Sequence, residues 1–443
     1  MCTQKGGDNV SYLAFMGFAM MILITVLLMK QKFSTIFCFT VIPIIFAVLV
    51  GANITQISGY VSKGILKTYQ IALMMMFSMP YFTLMSDAGM FDYIVKGILK
   101  KVRLTAPIIC MLTVVVASIC ELDSSVLSVF LITIPLMLPL YKKFNINLQI
   151  LPFLCSASVI LMTSKPWDSR MLRAASLTTT KNASTVLFLH MLPVQIIGMI
   201  ALLAFAAFLG FRQMKNQKNK VEISREELVG MIKDTELSRP KMFIPNLILT
   251  GLVIFCLCAF PALPQYFVFA VGLVISIMLN YRDKKLESKL LKKYYGNLWP
   301  VTPAVLLSGV VVGVMQYSGM LNEMVKVLMA VIPAAIGPWV YLILAMLATP
   351  LMFVFTNDTW FYALIPIVAA FSAKYGISTD VVIMTMFMNF GAMVSPVAQP
   401  QIYVATDLTE KMPLANYVKY SFWKLWGMNI AWTIVGFALG VFR

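Results

Sequence analysis

Long apolar runs alternate with short polar segments along the chain, from Ser11 to the C-terminus. Most of these runs are close to the roughly 20 residues that a helix needs to cross a bilayer. We predict single crossings at 11–29, 33–50, 70–86, 184–211, 243–260, 265–280, 299–317 and 420–441. The pattern therefore predicts a helical protein that crosses a membrane many times.

Two apolar stretches, 104–141 and 337–373, are too long for one crossing, and each is interrupted near its middle by polar residues. The interruptions are Glu-Leu-Asp-Ser-Ser at 121–125 and Thr-Asn-Asp-Thr at 356–359. We interpret both stretches as re-entrant helical hairpins, in which the polar residues form the tips.

Two further apolar segments, 148–180 and 379–405, each carry a proline and several polar groups in the middle. Non-helical backbone at membrane depth is tolerated only where it is buried in protein or lines a cavity. We therefore predict two broken helices. The residues expected at the breaks are Pro166, Trp167, Asp168 and Pro396.

The two halves of the sequence resemble each other. Short words recur in the same order at offsets of 231 to 235 residues, such as Ile134-Pro135 with Ile365-Pro366, Ser164 with Ser395, and Asp123 with Asp358. An odd number of crossings per half inverts the second half. We predict an all-α polytopic membrane protein with two inverted repeats at 1–211 and 243–443, about ten transmembrane helices and the two hairpins.

Composition supports a membrane protein and changes the meaning of the charge. Hydrophobic residues make up 60% and charged residues 12% of the chain, against roughly 45–50% and 25% in soluble domains. The formal net charge of +17 reflects basic loops between spans and indicates topology, so no nucleic-acid partner is expected.

Basic residues gather at particular loops. Lys100, Lys101 and Arg103 precede the first hairpin, and Lys142 and Lys143 follow it, which places its feet on the cytoplasmic side. The long hydrophilic segment 212–242 is also basic and is predicted to be a cytoplasmic linker between the halves. The expected location is a bacterial inner membrane.

Three acidic side chains, Glu121, Asp123 and Asp358, lie at the predicted hairpin tips. An ionisable group at mid-membrane depth costs about 2.5–3.5 kcal/mol on insertion scales and is therefore a functional candidate. We predict that these acids bind a coupling cation or proton. The alternative is that they cap the returning helices, as Asp does at helix N-termini.

Two arginines follow the first break. Arg170 and Arg173 carry guanidinium groups that can bind a carboxylate through two parallel hydrogen bonds. The alternatives are that the arginines extend to the outer interface, or that Asp168 neutralises Arg170.

Other chemistry is not supported by the sequence. The only histidine, His190, lies in an apolar helix, where core packing or a backbone hydrogen bond is the expected role. The seven cysteines have no zinc-ligand spacing, and neither disulfides nor a metal cluster is expected. No phosphate-binding loop or catalytic triad is present, so we expect no enzyme activity and no resident cofactor.

An ordered set of motifs resembles the citrate-metal/proton symporter family of the ion transporter superfamily, which is related to the divalent anion/sodium symporters. The set runs from Asp123-Ser124 through the apolar exit 131–141 and Pro166-Trp167 to Arg173-Ala174-Ala175, then to Thr356-Asn357-Asp358 and Ser395-Pro396. The resemblance implies a homodimer and an elevator-type transport domain built from the hairpins and broken helices.

The resemblance also implies a substrate site at the tips and breaks. The expected substrate-binding residues are Ser124, Ser125, Ser164, Arg170, Arg173, Asn357, Thr359, Ser395 and Gln399. Side-chained residues replace glycines that the family usually has near Asp123 and after Trp167, which predicts a reshaped, smaller pocket.

These residues are compatible with two functions. The first is proton- or sodium-coupled symport of citrate or a related di- or tricarboxylate, with Na⁺ or a divalent metal carried alongside the substrate. The second is a sodium/proton antiporter on the same fold with no organic substrate.

Overall fold

The computed structural model describes residues 5–30, 33–99, 104–214, 235–260, 263–299, 302–353, 355–396 and 398–443. Within these ranges every regular element is helical. Residues 215–234, most of the predicted linker 212–242, lie outside the described residues, as do Lys100, Lys101 and Arg103.

The first half of the chain forms nine helices in the described ranges. They are α1 (Lys5–Lys30), α2 (Thr35–Leu49), α3 (Ile54–Asp87), α4 (Met90–Leu99), α5 (Ala106–Cys120), α6 (Val126–Lys143), α7 (Ile150–Met162), α8 (Ser169–Ala175) and α9 (Ala183–Met214). A short 3₁₀ turn, Glu121–Asp123, joins α5 to α6, and these two helices pack against each other.

The second half begins after the linker and contains shorter helices. They are α10 (Phe243–Ala259), α11 (Gln265–Asn280), α12 (Lys284–Leu298), α13 (Thr302–Tyr317), α14 (Met320–Val331), α15 (Val340–Met346), α16 (Ala348–Leu351), α17 (Asn357–Thr359), α18 (Ile365–Ser372), α19 (Thr379–Phe387), α20 (Ile402–Leu408) and α21 (Leu414–Ala438). Helices α15 and α18 pack against each other, as do α18 and α19.

Helices α3 and α13 approach each other closely through glycines. A Cβ atom on Gly64 would lie 2.0 Å from the carbonyl oxygen of Gly309, and one on Gly313 would lie 2.2 Å from the carbonyl oxygen of Tyr60. Thr68 adds a hydrogen bond from its Oγ1 to the carbonyl oxygen of Leu306 at 2.8 Å. The lack of side chains at these positions is therefore what permits the contact.

Helix α21 contacts two elements of the second half through one buried asparagine. Asn429 is fully buried, and its Nδ2 donates to the carbonyl oxygen of Ala345 at 2.5 Å. Its Oδ1 accepts a hydrogen bond from the backbone N–H of Phe390 at 3.3 Å. One amide therefore ties α15 of the second hairpin region to the 3₁₀ turn Phe390–Met393.

Helix α3 is longer than the predicted span 70–86, since it begins at Ile54. Asn53 and Gln56 form a capping box in which each side chain accepts a hydrogen bond from the other residue's backbone N–H, at 2.8 and 2.9 Å. The polar residues before position 70, such as Lys67, hid this extension because they lower the local hydropathy. Lys67 donates to Gln316 Oε1 at 2.5 Å in the structure.

Helix α12 was not predicted, and the span expected at 299–317 begins at Thr302 instead. Asp283 caps α12 by accepting from the backbone N–H of Lys285 at 3.0 Å. Leu290 and Tyr294 are buried while the lysines face outward, which is typical of an amphipathic helix at a membrane surface. A search for continuous apolar runs misses such a helix.

Within the part of the chain that is described, fewer helices are both long enough and apolar enough to cross a membrane than the ten predicted. Among the described residues, length and composition allow four, or six if the bent pairs α3–α4 and α13–α14, at 52° and 66°, each count as one span. Other apolar helices have 10–17 residues, and 13 residues rise only about 20 Å. Breaks and turns divide several apolar runs into short helices, and α21, although 25 residues long, is not apolar enough to be counted.

The second apolar stretch, 337–373, is more irregular than the first. Its entering arm consists of the 3₁₀ turn Gly337–Trp339 and the short helices α15 and α16. Its returning arm starts at Asn357, widens into a π turn at Trp360–Leu364 and continues as α18, with Pro366 at the start. Pro366 cannot donate a backbone hydrogen bond, and only Ile365 separates it from the turn.

Candidate functional site

The first tip is a compact turn whose own backbone is held by acidic and hydroxyl side chains. Ser124 adopts a left-handed conformation with φ of 61°. Asp123 Oδ1 accepts a hydrogen bond from the backbone N–H of Ser125 at 2.8 Å, and Ser125 Oγ accepts from Ser128 N–H at 3.3 Å. Asp123 therefore has a structural hydrogen bond as well as a position at the tip.

The first break separates α7 from α8 over residues 163–168. Asp168 caps α8 by accepting from the backbone N–H of Arg170 at 2.8 Å. Ser164 is fully buried and donates to the carbonyl oxygen of Leu161 at 3.1 Å. Pro166 prevents the helix from continuing, so the polar groups of residues 163–168 lie between two helices inside the protein.

A buried lysine joins the first tip to the first break. Lys165 is 3% exposed, and its Nζ donates to the carbonyl oxygen of Glu121 at 2.6 Å and to Asp168 Oδ2 at 3.2 Å. The carboxylate of Glu121 lies 3.8 Å from the same Nζ. Asp168 therefore forms an ion pair with Lys165, and it also contacts Arg170 through the backbone N–H of that residue.

Arg170 connects the first break to the second tip. It is 6% exposed, and its Nη2 donates to Asn357 Oδ1 at 2.8 Å. Asn357 in turn donates to the carbonyl oxygen of Ala398 at 2.9 Å and to Gln399 Oε1 at 3.1 Å. Arg170 is therefore directed into the protein, and the alternative that it extends to the outer interface is wrong.

Arg173 and Asp358 form an ion pair between α8 and α17. The Nε and Oδ1 atoms lie 3.2 Å apart, with side chains that are 16% and 22% exposed. Their orientation does not satisfy a hydrogen bond, so the contact is electrostatic. Asp358, the predicted cation-binding residue at the second tip, therefore already has the guanidinium of Arg173 beside it.

These elements surround a cavity of about 870 Å³. Ten of the predicted residues line it, namely Glu121, Asp123, Ser124, Ser125, Asp168, Arg170, Arg173, Asn357, Asp358 and Gln399. Residues from both tips and both breaks therefore converge on one space, although up to 278 positions separate them along the chain.

Six predicted residues do not line this cavity, and several of them stabilise its walls. They are Ser164, Pro166, Trp167, Thr359, Ser395 and Pro396. Ser395 Oγ accepts from the backbone N–H of Ala398 at 3.2 Å, and Thr359 N–H donates to Thr356 Oγ1 at 3.2 Å. Trp167 Nε1 donates to the carbonyl oxygen of Leu122 at 3.1 Å. Ser164, Thr359 and Ser395 are predicted to bind the substrate, and they are not among the residues that line this cavity. Pro166, Trp167 and Pro396 are predicted only as break residues.

The cavity contains charges of both signs. Four carboxylates, from Glu121, Asp123, Asp168 and Asp358, face two guanidinium groups. Both carboxylate oxygens of Glu121 and the Nη1 of Arg170 are buried and have no hydrogen-bond partner among the described residues. A buried charged group without such a partner is costly, so the arrangement suits a ligand that brings negative and positive groups together.

The sequence matches a known family of transporters over most of its length. The sequence profile described as citrate transporter matches residues 9–388. The chain belongs to the citrate transporter family. Membership makes it an integral membrane transporter and not an enzyme.

Individual relatives agree with this family. The chain is 27% identical over 437 residues to a citrate transporter of Bacillus subtilis (strain 168), covering 97% of this chain and 99% of the relative. It is 29% identical over 368 residues to the Mg(2+)/citrate complex secondary transporter of the same organism, covering 82% and 84%.

A solved transporter structure shares the fold. The YdaH transporter of Alcanivorax borkumensis superimposes with a TM-score of 0.58 at 10% sequence identity, covering 87% of this chain and 88% of that chain. At this identity the likeness concerns the arrangement of helices alone.

For this member of the citrate transporter family, the sequence missed several polar cavity residues. They include Ser34, Thr35, Thr83, Ser128, Thr163, Ser169, Thr356 and Gln401. Thr163 and Gln401 lie within the break segments and could have been included, whereas nothing in the sequence brings the start of α2 to the tips.

His190 is exposed, and its Nδ1 lies 2.8 Å from the carbonyl oxygen of Val186.

Proposed function

We propose that this protein is a secondary-active transporter that carries citrate or a related di- or tricarboxylate together with a cation. The observation that carries the proposal is the convergence of two guanidinium groups, four carboxylates and the broken helix ends on one cavity. The relatives named for citrate and for the Mg(2+)/citrate complex support the same substrate class.

Arg170 is the first residue expected to contact the substrate. Its Nη2 is engaged by Asn357, while its Nη1 has no hydrogen-bond partner within the part of the chain that is described. A substrate carboxylate at this position would complete the hydrogen bonds of the guanidinium. Ser124, Ser125, Asn357 and Gln399 would bind the remaining oxygens, together with Arg173.

The acids in the cavity favour transport of an anion with positive charge. A bare tricarboxylate would meet four carboxylates that are offset by two arginines and by Lys165, which is paired with Glu121 and Asp168. Protonation of Glu121 or Asp123, a bound Na⁺, or a divalent metal complexed by the substrate would each remove this repulsion. Glu121, Asp123 and Asp358 are the residues we assign to the coupling cation or proton.

The larger mechanism is part of the same proposal. The tips and breaks of both halves would move together as an elevator-type unit within a homodimer, with inverted repeats giving alternating access. The segment 212–242 would lie on the cytoplasmic side of a bacterial plasma membrane.

Uptake of radiolabelled citrate into proteoliposomes tests the proposal. Proton and sodium gradients are imposed separately, each with and without Mg²⁺ or Ca²⁺, and protein-free liposomes serve as the control. We expect accumulation that disappears when the driving gradient is collapsed. A requirement for divalent metal would favour the complex as the transported species.

The same assay separates the alternative function. Failure of citrate and other di- and tricarboxylates to accumulate under any gradient, combined with measurable exchange of Na⁺ for protons, would replace the proposal with a sodium/proton antiporter. Asp123→Asn and Asp358→Asn should abolish carboxylate transport. Full uptake in both variants would contradict the assignment of the tip acids.

A further inference from the structure

A narrow apolar groove lies between α9 and α21, and it is separate from the cavity between the tips and breaks. It has a volume of about 210 Å³ and is lined by aliphatic and aromatic residues, with one methionine and one glycine. On α9 the lining runs from Val194 to Phe205, which corresponds to a rise of about 17 Å. This length is close to half of the roughly 30 Å hydrocarbon core, so the groove can accommodate an acyl chain from one leaflet.

Small residues on both helices leave this groove open. Gly198 and Ala201 line it from α9, and Ala431 lines it from α21. A Cβ atom on Gly198 would lie 3.0 Å from Leu161 Cδ2 and 3.1 Å from Trp432 Cζ3, so a side chain at this position would narrow the groove. Ala201 and Ala431 are both exposed at the protein surface. The groove is therefore open to the lipid that surrounds the transporter.

The floor of the groove is formed by residues beside the two breaks. Leu161 lies in the last turn of α7, directly before the first break, and Phe390 begins the 3₁₀ turn in the second broken segment. Both side chains are 1% exposed. The carbonyl oxygen of Leu161 accepts a hydrogen bond from Gln195 Nε2 at 3.1 Å, which fixes this floor to α9. A ligand in the groove would therefore contact both halves of the protein.

Two basic side chains lie at one end of the groove. Phe205, at the end of the α9 lining, packs against Phe153 and Phe208 with ring centroids 6.0 and 6.3 Å apart. Lys424 Nζ lies 5.9 Å from the ring centroid of Phe153. Arg212 Cζ lies 5.9 Å from the ring centroid of Phe208. The ammonium and the guanidinium are therefore both one aromatic ring away from Phe205.

These two cations have no acidic partner among the described residues. Arg212 is close enough to Lys424 for the two positive charges to repel each other. Neither forms an ion pair with a carboxylate in the described ranges. Lys424 donates to the carbonyl oxygen of Tyr420, but an ammonium has three N–H donors. This end of the groove therefore suits an anionic group, whereas the rest of it suits a hydrocarbon chain.

We infer that the groove binds one anionic phospholipid, with an acyl chain between α9 and α21 and the phosphate beside Arg212 and Lys424. Basic pockets between transmembrane helices bind anionic headgroups through the same attraction. A zwitterionic headgroup carries an ammonium of its own, which the two cations would repel. The inference goes beyond the proposed function, because it does not depend on the substrate that the protein carries.

The test is native mass spectrometry of the purified, delipidated protein in an uncharged detergent, titrated with dioleoylphosphatidylglycerol or with dioleoylphosphatidylethanolamine. We expect one phosphatidylglycerol molecule per chain to bind about tenfold more tightly than phosphatidylethanolamine. Arg212→Gln combined with Lys424→Gln should weaken phosphatidylglycerol binding by about tenfold, because each basic residue contributes to the attraction of an anionic lipid. Arg282→Gln combined with Lys289→Gln removes two exposed cations elsewhere and should leave this binding unchanged.

A second pair of variants tests the groove itself. Ala201→Phe should fill the groove and weaken phosphatidylglycerol binding by about tenfold. The matched control is Ala204→Phe, because Ala204 is exposed on the same helix but does not line the groove. This control should bind phosphatidylglycerol within twofold of the wild type. If Ala201→Phe does not fold, Ala431→Phe fills the same groove from α21 and should give the same loss.

Three results would overturn the inference. The first is equal binding of the two lipids to the wild type. The second is phosphatidylglycerol binding that survives both the loss of the two cations and the filling of the groove, or that falls equally in Ala204→Phe. The third is displacement of phosphatidylglycerol by a similar concentration of sn-glycerol 3-phosphate, since a headgroup without acyl chains would then suffice and the groove would have no role.

Discussion

Arg170 donates from Nη2 to Oδ1 of Asn357 at 2.8 Å, although 187 positions separate the two residues in the chain. The bond joins α8, the helix after the first break, to α17, the short helix that forms the second tip. Asn357 also donates to the backbone of the second break at Ala398. One arginine and one amide thus connect three of the four elements around the cavity.

Because the guanidinium of Arg170 is expected to bind a substrate carboxylate, substitution of Arg170 should lower the affinity for the substrate. Arg170→Gln should raise the KM for citrate uptake by about tenfold to a hundredfold, since a hydrogen bond to a charged group contributes about 1.5–3 kcal/mol. Arg170→Lys should recover only part of this loss, because an ammonium lacks the two parallel donors. Arg282→Gln changes an exposed arginine and should leave the KM unaltered. An unchanged KM in Arg170→Gln would exclude the residue from the substrate site.

Substitution of Glu121 should abolish the coupling of transport to protons while citrate binding is retained. Its side chain is fully buried, and within the described structure neither carboxylate oxygen has a hydrogen-bond partner. Glu121→Gln should abolish accumulation driven by a proton gradient, because the amide cannot carry the proton. Exchange of internal for external citrate should persist in this variant. Glu410→Gln, an exposed acid, is the control for both assays. Retained accumulation in Glu121→Gln would assign coupling to another residue.

The ion pair between Arg173 and Asp358 predicts energetic coupling. Because the two side chains are 16% and 22% exposed, we expect Arg173→Gln and Asp358→Asn to interact by about 1 kcal/mol in a double-mutant cycle. The measurement is the free energy of unfolding, without citrate, of the wild type, both single variants and the double variant. Additive effects would mean that the pair contributes no direct interaction.

The close crossing of α3 and α13 predicts a position-specific loss of stability. Gly64→Ala would place a Cβ atom 2.0 Å from the carbonyl oxygen of Gly309 and should cost about 1–3 kcal/mol. Gly59 lies on the same helix, and a Cβ atom there meets nothing within 4 Å. Gly59→Ala should therefore leave the Tm unchanged or raise it slightly, since alanine favours helix. Equal Tm values for the two variants would contradict the close contact.

Several charged and amide residues of the cavity could be selected from the sequence, but the full set of lining residues could not. Polar residues inside apolar runs are costly in a membrane, and this cost is why Glu121, Arg170 and Asn357 could be selected without coordinates. The direction of each side chain depends on turn geometry, and Ser164 and Ser395 bond to neighbouring backbone instead of facing the cavity.

The fold was predictable where apolar runs are continuous and hidden where polar residues interrupt them. The amphipathic helix α12 and the first turns of α3 contain lysines, so a hydropathy pattern places them in loops. The hydrogen bond from Lys165 Nζ to the carbonyl oxygen of Glu121 joins the first break to the first tip, 44 positions away in the chain. Such contacts between distant segments are set by packing and not by local sequence.

The most direct test of the substrate site is a structure of the protein determined by electron cryo-microscopy with saturating citrate and Mg²⁺. We expect ligand density in the cavity between the tips and breaks, with a carboxylate within hydrogen-bond distance of Arg170 and close to Asn357. Density for citrate at a different place, in a preparation that transports citrate, would contradict the central claim that this cavity is the substrate site.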